Sequence, residues 1–200
     1  MASDNGGRRP TSRYALLGML SLGPGSGYDL KKRIDGSIAH FWSESYGQIY
    51  PHLARLVDEG LAERRSERQA GRPDRQVYSL TPAGREELAR WLQLPARVEP
   101  FRSELLLKLF LGAAVPPAES LAQVRRYRER QERLLESYAA VGRRLRASHR
   151  GAPGLPYWLA TLAYGQRRAA ALRDWCDETL RNLARAAGSP RRRARPTRGR

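Results

Sequence analysis

The stretch SYGQIYPHLARLVDE, residues 45–59, decides the fold. On a helical wheel at about 100° per residue, Tyr46, Ile49, Tyr50, Leu53, Leu56 and Val57 fall on one side, and Gln48, Pro51, His52, Arg55 and Glu59 on the other. The pattern predicts an amphipathic helix, opened by a Ser45–Gln48 capping box and closed by Gly60 just past its last turn. Pro51 is awkward there, because it removes a backbone donor and bends the second turn. The apolar side needs other elements to cover it. The polar side offers Gln, His and Arg, residue types that donate to base edges and phosphates.

Upstream, Tyr14, Leu16, Leu17, Met19 and Leu20 carry helical periodicity, which Gly23-Pro24-Gly25 stops. Ser26 caps a second helix through Tyr28, Leu30 and Ile34, and Gly27 lets the first two helices approach closely. Downstream, two extended runs, residues 61–68 and 76–80, flank Ala70-Gly71-Arg72-Pro73-Asp74-Arg75, a turn by its chemistry. This hairpin carries Arg64, Arg65, Arg68, Arg72 and Arg75. Thr81-Pro82 then opens another helix through Leu88, Trp91 and Leu92, which Pro95 stops. Helix, helix, helix, hairpin, helix is the plan of a winged helix-turn-helix. An arginine-loaded wing beside a two-faced helix suits a phosphate backbone.

The second half reads as helical throughout. Residues 103–112 are apolar nearly all round, which predicts a buried helix. Pro116-Pro117 starts a long helix reaching about residue 146. In it Val124, Tyr127, Gln131, Leu134, Tyr138, Val141 and Leu145 follow the 3–4 spacing of a coiled coil or bundle. The expected dimer interface is Val124, Tyr127, Leu134, Tyr138, Val141 and Leu145. A last helix, about residues 157–187, places Leu162, Gly165, Ala169, Leu172, Cys176 and Leu183 at similar spacing. The expected organisation is a flexible arm (1–10), a winged helix-turn-helix (11–95), a helical dimerisation domain (96–187) and a disordered basic tail (188–200). The fold class is mainly α with a small two-stranded wing.

Lys and Arg number 37 against 20 Asp and Glu, a formal net charge of +17. The six arginines between Arg191 and Arg200 account for part of it, and +11 remains without them. Such an excess points to a polyanionic partner. Cys176 is the only cysteine, so neither an intramolecular disulfide nor a cysteine metal cage is available. The polar first ten residues do not read as a secretory signal, and residues 105–115, the longest apolar cluster, fall short of the ~20 residues a membrane span needs. A cytoplasmic, nucleoid-associated location is expected, with no membrane partner. His40, His52 and His149 are too scattered for a metal site, and no cofactor is expected. Gly23-Pro24-Gly25-Ser26-Gly27 lacks the Lys-Ser/Thr ending of a phosphate loop. No Ser/His/Asp or Cys/His set has a motif context, so the chain does not read as an enzyme. Cys176 reads as a buried structural thiol, and the tryptophans at 42, 91, 158 and 175 as core. Trp91 is also the candidate lining residue for an effector pocket. A basic RNA- or ribosome-associated protein would account for the charge, but not for the hairpin after a two-faced helix.

Several motifs recur in order. They are Tyr14-Ala15-Leu16-Leu17-Gly18, Gly27-Tyr28-Asp29-Leu30, the run from Ser45 to Leu56, Glu59-Gly60-Leu61, Arg72-Pro73, Tyr78 and Leu80-Thr81-Pro82-Ala83-Gly84. Over residues 12–92 these resemble the PadR family of transcription regulators. The helical second half resembles the version of that family with a virulence-activator-like annex, with Trp91-Leu92 as a local landmark. The resemblance implies a homodimer joined through the C-terminal helices, binding a palindromic operator in double-stranded DNA. It implies a repressor of adjacent genes, relieved by a small aromatic or drug-like effector. It assigns base and phosphate contacts to Ser45, Tyr46, Gln48, Tyr50, His52, Arg55, Arg72 and Arg75, to which the wing reading adds Arg64. It also makes Pro51 an ordinary part of the motif. The basic tail belongs to no shared pattern.

Overall fold

A computed structural model describes residues 11–69, 72–96 and 101–188, with the side chains of Gln69, Arg72 and Pro73 excepted. The expected arm, and the expected tail beyond Gly188, lie outside the described residues. The chain divides between residues 98 and 99 into two compact units.

The first unit holds α1 (Thr11–Ser21), α2 (Gly27–Ser37), α3 (Tyr46–Asp58), β1 (Ala62–Gln69), β2 (Arg72–Leu80) and α4 (Pro82–Leu92). Leu16, Leu17, Leu30, Ile34, Ile49, Leu53 and Leu56 form its fully buried centre, where α1, α2 and α3 meet. Tyr78, Leu80, Leu61 and Ala62 close that core from the base of the hairpin. The strands pair antiparallel, from Ala62 opposite Leu80 to Gln69 opposite Arg72, with an irregularity between Glu67 and Gln69. β1 forms within one residue of its expected bounds, whereas β2 runs further than its composition suggests and begins inside the expected 70–75 turn. Cross-strand pairing supplies the order that the polar sequence of β1 does not advertise.

Local chemistry sets each junction. Ser26 and Asp29 form a capping box at the start of α2. Asp29 accepts hydrogen bonds from the Ser26 N–H at 2.7 Å and the Ser26 Oγ at 2.6 Å. Arg33 fixes the preceding turn by donating to the carbonyls of Gly23 and Pro24. At the end of α3, Gly60 takes a φ of +68°. There the Leu61 N–H donates to Leu56 C=O at 2.8 Å and the Gly60 N–H to Val57 C=O at 2.9 Å, a Schellman termination. Thr81 caps α4 by accepting from the Gly84 N–H, and its hydroxyl donates to Gly60 C=O at 2.8 Å. Gly84 lies against this junction. A Cβ there would sit 2.1 Å from the Leu61 carbonyl oxygen. α4 is returned to α1 by Tyr14, whose hydroxyl donates to buried Glu87 at 2.9 Å, and by the Tyr14–Trp91 ring stack at 4.6 Å.

The second unit holds α5 (Glu104–Phe110), a 3-10 turn (Gly112–Ala114), α6 (Pro117–Ser148) and α7 (Leu155–Gly188). α6 and α7 form an antiparallel hairpin. Gly165 receives the Tyr138 ring, whose Cζ lies 3.0 Å from the position of an added Cβ, and Gly142 receives Leu162 at 3.1 Å. Arg128 on α6 pairs with Asp177 on α7. Leu134, Val141 and Leu145 pack against the same Tyr138–Leu162–Ala169 cluster. Within the single chain α7 takes up part of the face on which the heptads place a dimer interface. Val124 is fully buried and Tyr138 is 6% exposed within the single chain, because α7 occupies the seam. Cys176 is fully buried, and burial pushes its thiol pKa up.

The expectation for residues 103–112 is corrected. None of the residues of α5 is buried, and Phe110 is 86% exposed. None of the four tryptophans reaches full burial either.

Two tests follow from these junctions. Gly84→Ala should destabilise the first unit by about 3 kcal/mol, since a backbone oxygen cannot yield to the new methyl. Gly18→Ala has nothing within 4 Å of its Cβ and sits inside α1, so it should stabilise by about 0.5–1 kcal/mol. Urea denaturation of both variants reads the contrast as midpoints moving in opposite directions. The second test concerns acid. Partial burial opposes ionisation of Asp29, but the two Ser26 bonds and the Arg75 guanidinium outweigh it and lower its pKa from 3.8 to about 2. A carboxyl depressed on folding stabilises the native state above its unfolded pKa, and the contribution is lost as pH falls through the folded value. Asp29→Asn should therefore flatten the decline in stability between pH 4 and pH 2, measured as denaturation midpoints across that window.

Candidate nucleic-acid interface

α3 turns Ile49, Leu53 and Leu56 into the core and leaves Ser45, Tyr46, Gln48, Tyr50 and Arg55 exposed, with His52 half-buried. Pro51 sits inside the helix without ending it. The wheel put Tyr46 and Tyr50 on the core side, whereas the structure exposes 45% and 49% of them. They lie at the edge of the apolar stripe, across the start of α2. The Tyr50 ring covers Gly27, where a Cβ would come within 2.6 Å of it. The Tyr46 ring lies nearly parallel to Tyr28 at 6.5 Å, and the Lys31 ammonium is 5.9 Å from its centroid. Gly27 thus opens a close approach between α2 and α3; the sequence suggested one between α1 and α2.

Gln48 and Arg75, expected at the reading surface, and Glu59, expected on the polar side of α3, have other partners. The Gln48 carbonyl oxygen accepts from the Ser45 N–H and Oγ, both at 3.1 Å, and so closes the capping box. Glu59 takes both terminal nitrogens of Arg13, which is 7% exposed. That forked pair ties the end of α3 to α1. Arg75, expected to grip phosphate, pairs with Asp29. Arg64, Arg65 and Arg68 are exposed along β1. The Arg72 side chain lies outside the described residues.

What remains outward is an aromatic and basic surface: Tyr28, Tyr46, Tyr50, Arg55 and the β1 arginines, with Lys31, paired to Asp35, half-buried beneath Tyr46. Tyr28 and Lys31 were not singled out from sequence as site residues. Their i, i+3 spacing on α2 was a visible sign, but only the crossing of α2 and α3 brings them beside Tyr46. Among the described residues, no group of His, Cys, Asp and Glu could hold a metal ion, and no helix is long and apolar enough to cross a membrane. In the second unit a groove of about 380 Å³ lies between α5 and α6, lined by Lys108, Gln123, Arg126, Tyr127 and Arg130 among others. Tyr127, expected at a dimer seam, is thus a groove residue. Trp91, half-buried, has one ring face taken by Tyr14.

Residues 16–90 match the Transcriptional regulator PadR-like family, and residues 101–184 match Virulence activator alpha C-term. The chain is 34% identical over 109 residues to the negative transcriptional regulator PadR of Bacillus subtilis; the match covers 54% of this chain and 60% of that protein. It is 29% identical over 181 residues to a probable transcriptional regulator of Mycobacterium tuberculosis, covering 85% and 96%. Among solved structures, Bacillus subtilis PadR in complex with operator DNA superimposes with a TM-score of 0.77 at 26% identity, over 87% of this chain and 99% of that one. The same protein in complex with p-coumaric acid gives 0.71 at 25% identity, over 88% and 99%. The helical order, the two-stranded wing and both family matches agree: the chain joins a PadR-like transcriptional regulator domain, residues 16–90, to a virulence activator alpha C-terminal domain, residues 101–184.

Proposed function

We propose that this chain binds operator DNA in its promoter region as a homodimer and represses transcription, with a small aromatic or drug-like effector relieving the repression. The carrying observation is α3. Its buried Ile49, Leu53 and Leu56 anchor a helix whose Tyr46, Tyr50 and Arg55 stay exposed beside the β1 arginines. Bacillus subtilis PadR, which shares this architecture, has been crystallised with operator DNA. Helix α3 enters the major groove, where Arg55 and His52 read base edges. Ser45, Tyr46, Gln48 and Tyr50 contact the backbone and flanking bases, Gln48 through its amide nitrogen. Arg64 and Arg72 on the wing meet phosphates.

The homodimer is assigned to the second unit, on a different surface from the heptads of α6. Leu106, Leu107, Phe110 and Leu111, at the i, i+1, i+4, i+5 spacing of one helix face, are 43%, 59%, 86% and 59% exposed. Such a patch on a single chain marks a protein contact, and a second copy covers it on this reading. A small aromatic effector is supported by the p-coumaric acid complex of PadR, and the contact is proposed at Trp91, which is half-buried with one ring face against Tyr14.

The DNA test starts from a duplex that the wild-type protein selects out of a random library. Arg55→Ala should weaken binding to it by about 1–3 kcal/mol and leave a random duplex nearly unaffected. Equal loss on both would assign Arg55 to phosphate. Preference for RNA over the selected duplex in competition would sink the DNA reading altogether. For assembly, Phe110→Glu with Leu107→Glu should give a monomer in sedimentation while helicity persists. A dimer that survives both charges would place the interface elsewhere.

A further inference from the structure

We propose that Arg75 and Asp29 form a latch that fixes the angle of the wing, so that Arg75 serves DNA binding as a positioning residue and contacts no phosphate. The inference rests on the DNA reading above, but its core is a statement about this chain alone.

Two attachments join β2 to the start of α2. One is a backbone pair: Gly25 N–H donates to Tyr78 C=O and Tyr78 N–H to Gly25 C=O, each at 3.0 Å. The other is Arg75 Nη2 donating to Asp29 Oδ2. Arg75 lies three residues nearer the tip than Tyr78. The other side-chain bonds of the described residues around it stay within the hairpin, Gln76 to Ser66 on the core side and Ser66 to Asp74 toward the tip. The ion pair is thus the last described anchor before the wing overhangs.

The anchor is built on a fixed carboxylate. Asp29 is held by the Ser26 N–H and Oγ as part of the α2 cap, so it stays in place whether or not Arg75 arrives. The Arg75 side chain is 38% exposed and that of Asp29 28%, so the pair is neither free in water nor sealed away. A guanidinium already neutralised by a carboxylate releases no counterion when DNA binds. Arg64 and Arg68 have no such partner among the described residues, and they carry the electrostatic grip.

The latch makes a signature that a phosphate contact does not share. The slope of log K against log salt on a random duplex should fall by about 0.9 for each phosphate ligand removed, as in Arg64→Gln. Arg75→Gln should leave that slope unchanged while weakening binding to the selected duplex several-fold. Without DNA, it should also speed amide hydrogen exchange several-fold across residues 74–80. Asp29→Asn keeps an oxygen for the α2 cap but frees Arg75, so it should steepen the slope by up to about 0.9. The double variant Asp29→Asn/Arg75→Gln should return to the slope of Arg75→Gln alone. A slope reduction in Arg75→Gln equal to that of Arg64→Gln, or unaltered hydrogen exchange, would overturn the latch. If the wild type binds no duplex, the DNA reading fails on its own, and the exchange measurement still decides whether Arg75 holds the wing.

Discussion

The contact between Gly84 and the Leu61 carbonyl is the constraint on which the winged unit depends. Four elements meet there: the end of α3, the start of β1, the end of β2 and the start of α4. Gly60 turns the chain out of α3 through its positive φ, and Leu61 returns under Leu56. Thr81 ties the other two ends to the same corner through Gly60 C=O and the Gly84 N–H. The hairpin leaves the core from this corner, so backbone atoms set the direction of its base relative to α3. Side chains further out then adjust the wing only within that frame.

The polar residues of the unit divide by partner. Ser26, Asp29, Arg33 and Arg13 are engaged with caps, carbonyls or carboxylates, and they hold elements in place. Tyr28, Tyr46, Tyr50, Arg55 and the arginines of β1 are exposed. Rigid support under an exposed set of aromatic and basic groups is what a reading surface needs, because groups already in place lose less freedom on binding. The tyrosines add broad contact area at small conformational loss.

Much of the architecture was legible because local signals carry it. Ser26, Ser45 and Thr81 as caps, Gly60 as a terminator and the apolar period of α3 each act within a few residues, and each element formed where they placed it. The site was legible as a helix face but not as a partition of partners. Nothing in the spacing of Gln48, Glu59 or Arg75 tells which polar group meets another across the fold. Arg13 is 46 residues from Glu59, and Arg75 is 46 from Asp29. The heptads of α6 are ambiguous for a related reason. A 3–4 repeat specifies that a helix faces another helix, and it is silent on whether that helix belongs to the same chain. Gly142 and Gly165 beside Leu162 and Tyr138 answer for α7. The apolar face of α5 reads as buried for the same lack of information about partners.

Tyr14, Glu87 and Trp91 bring α4 back to α1, so the core of the winged unit is completed by residues no further along the chain than Trp91. The helical hairpin likewise has a core made of its own residues. A genetic crossover between residues 93 and 103 would therefore open neither core. Reader and body are separable as units of inheritance. One winged head can be passed on with a different helical body, and a change in the body leaves the exposed face of α3 intact.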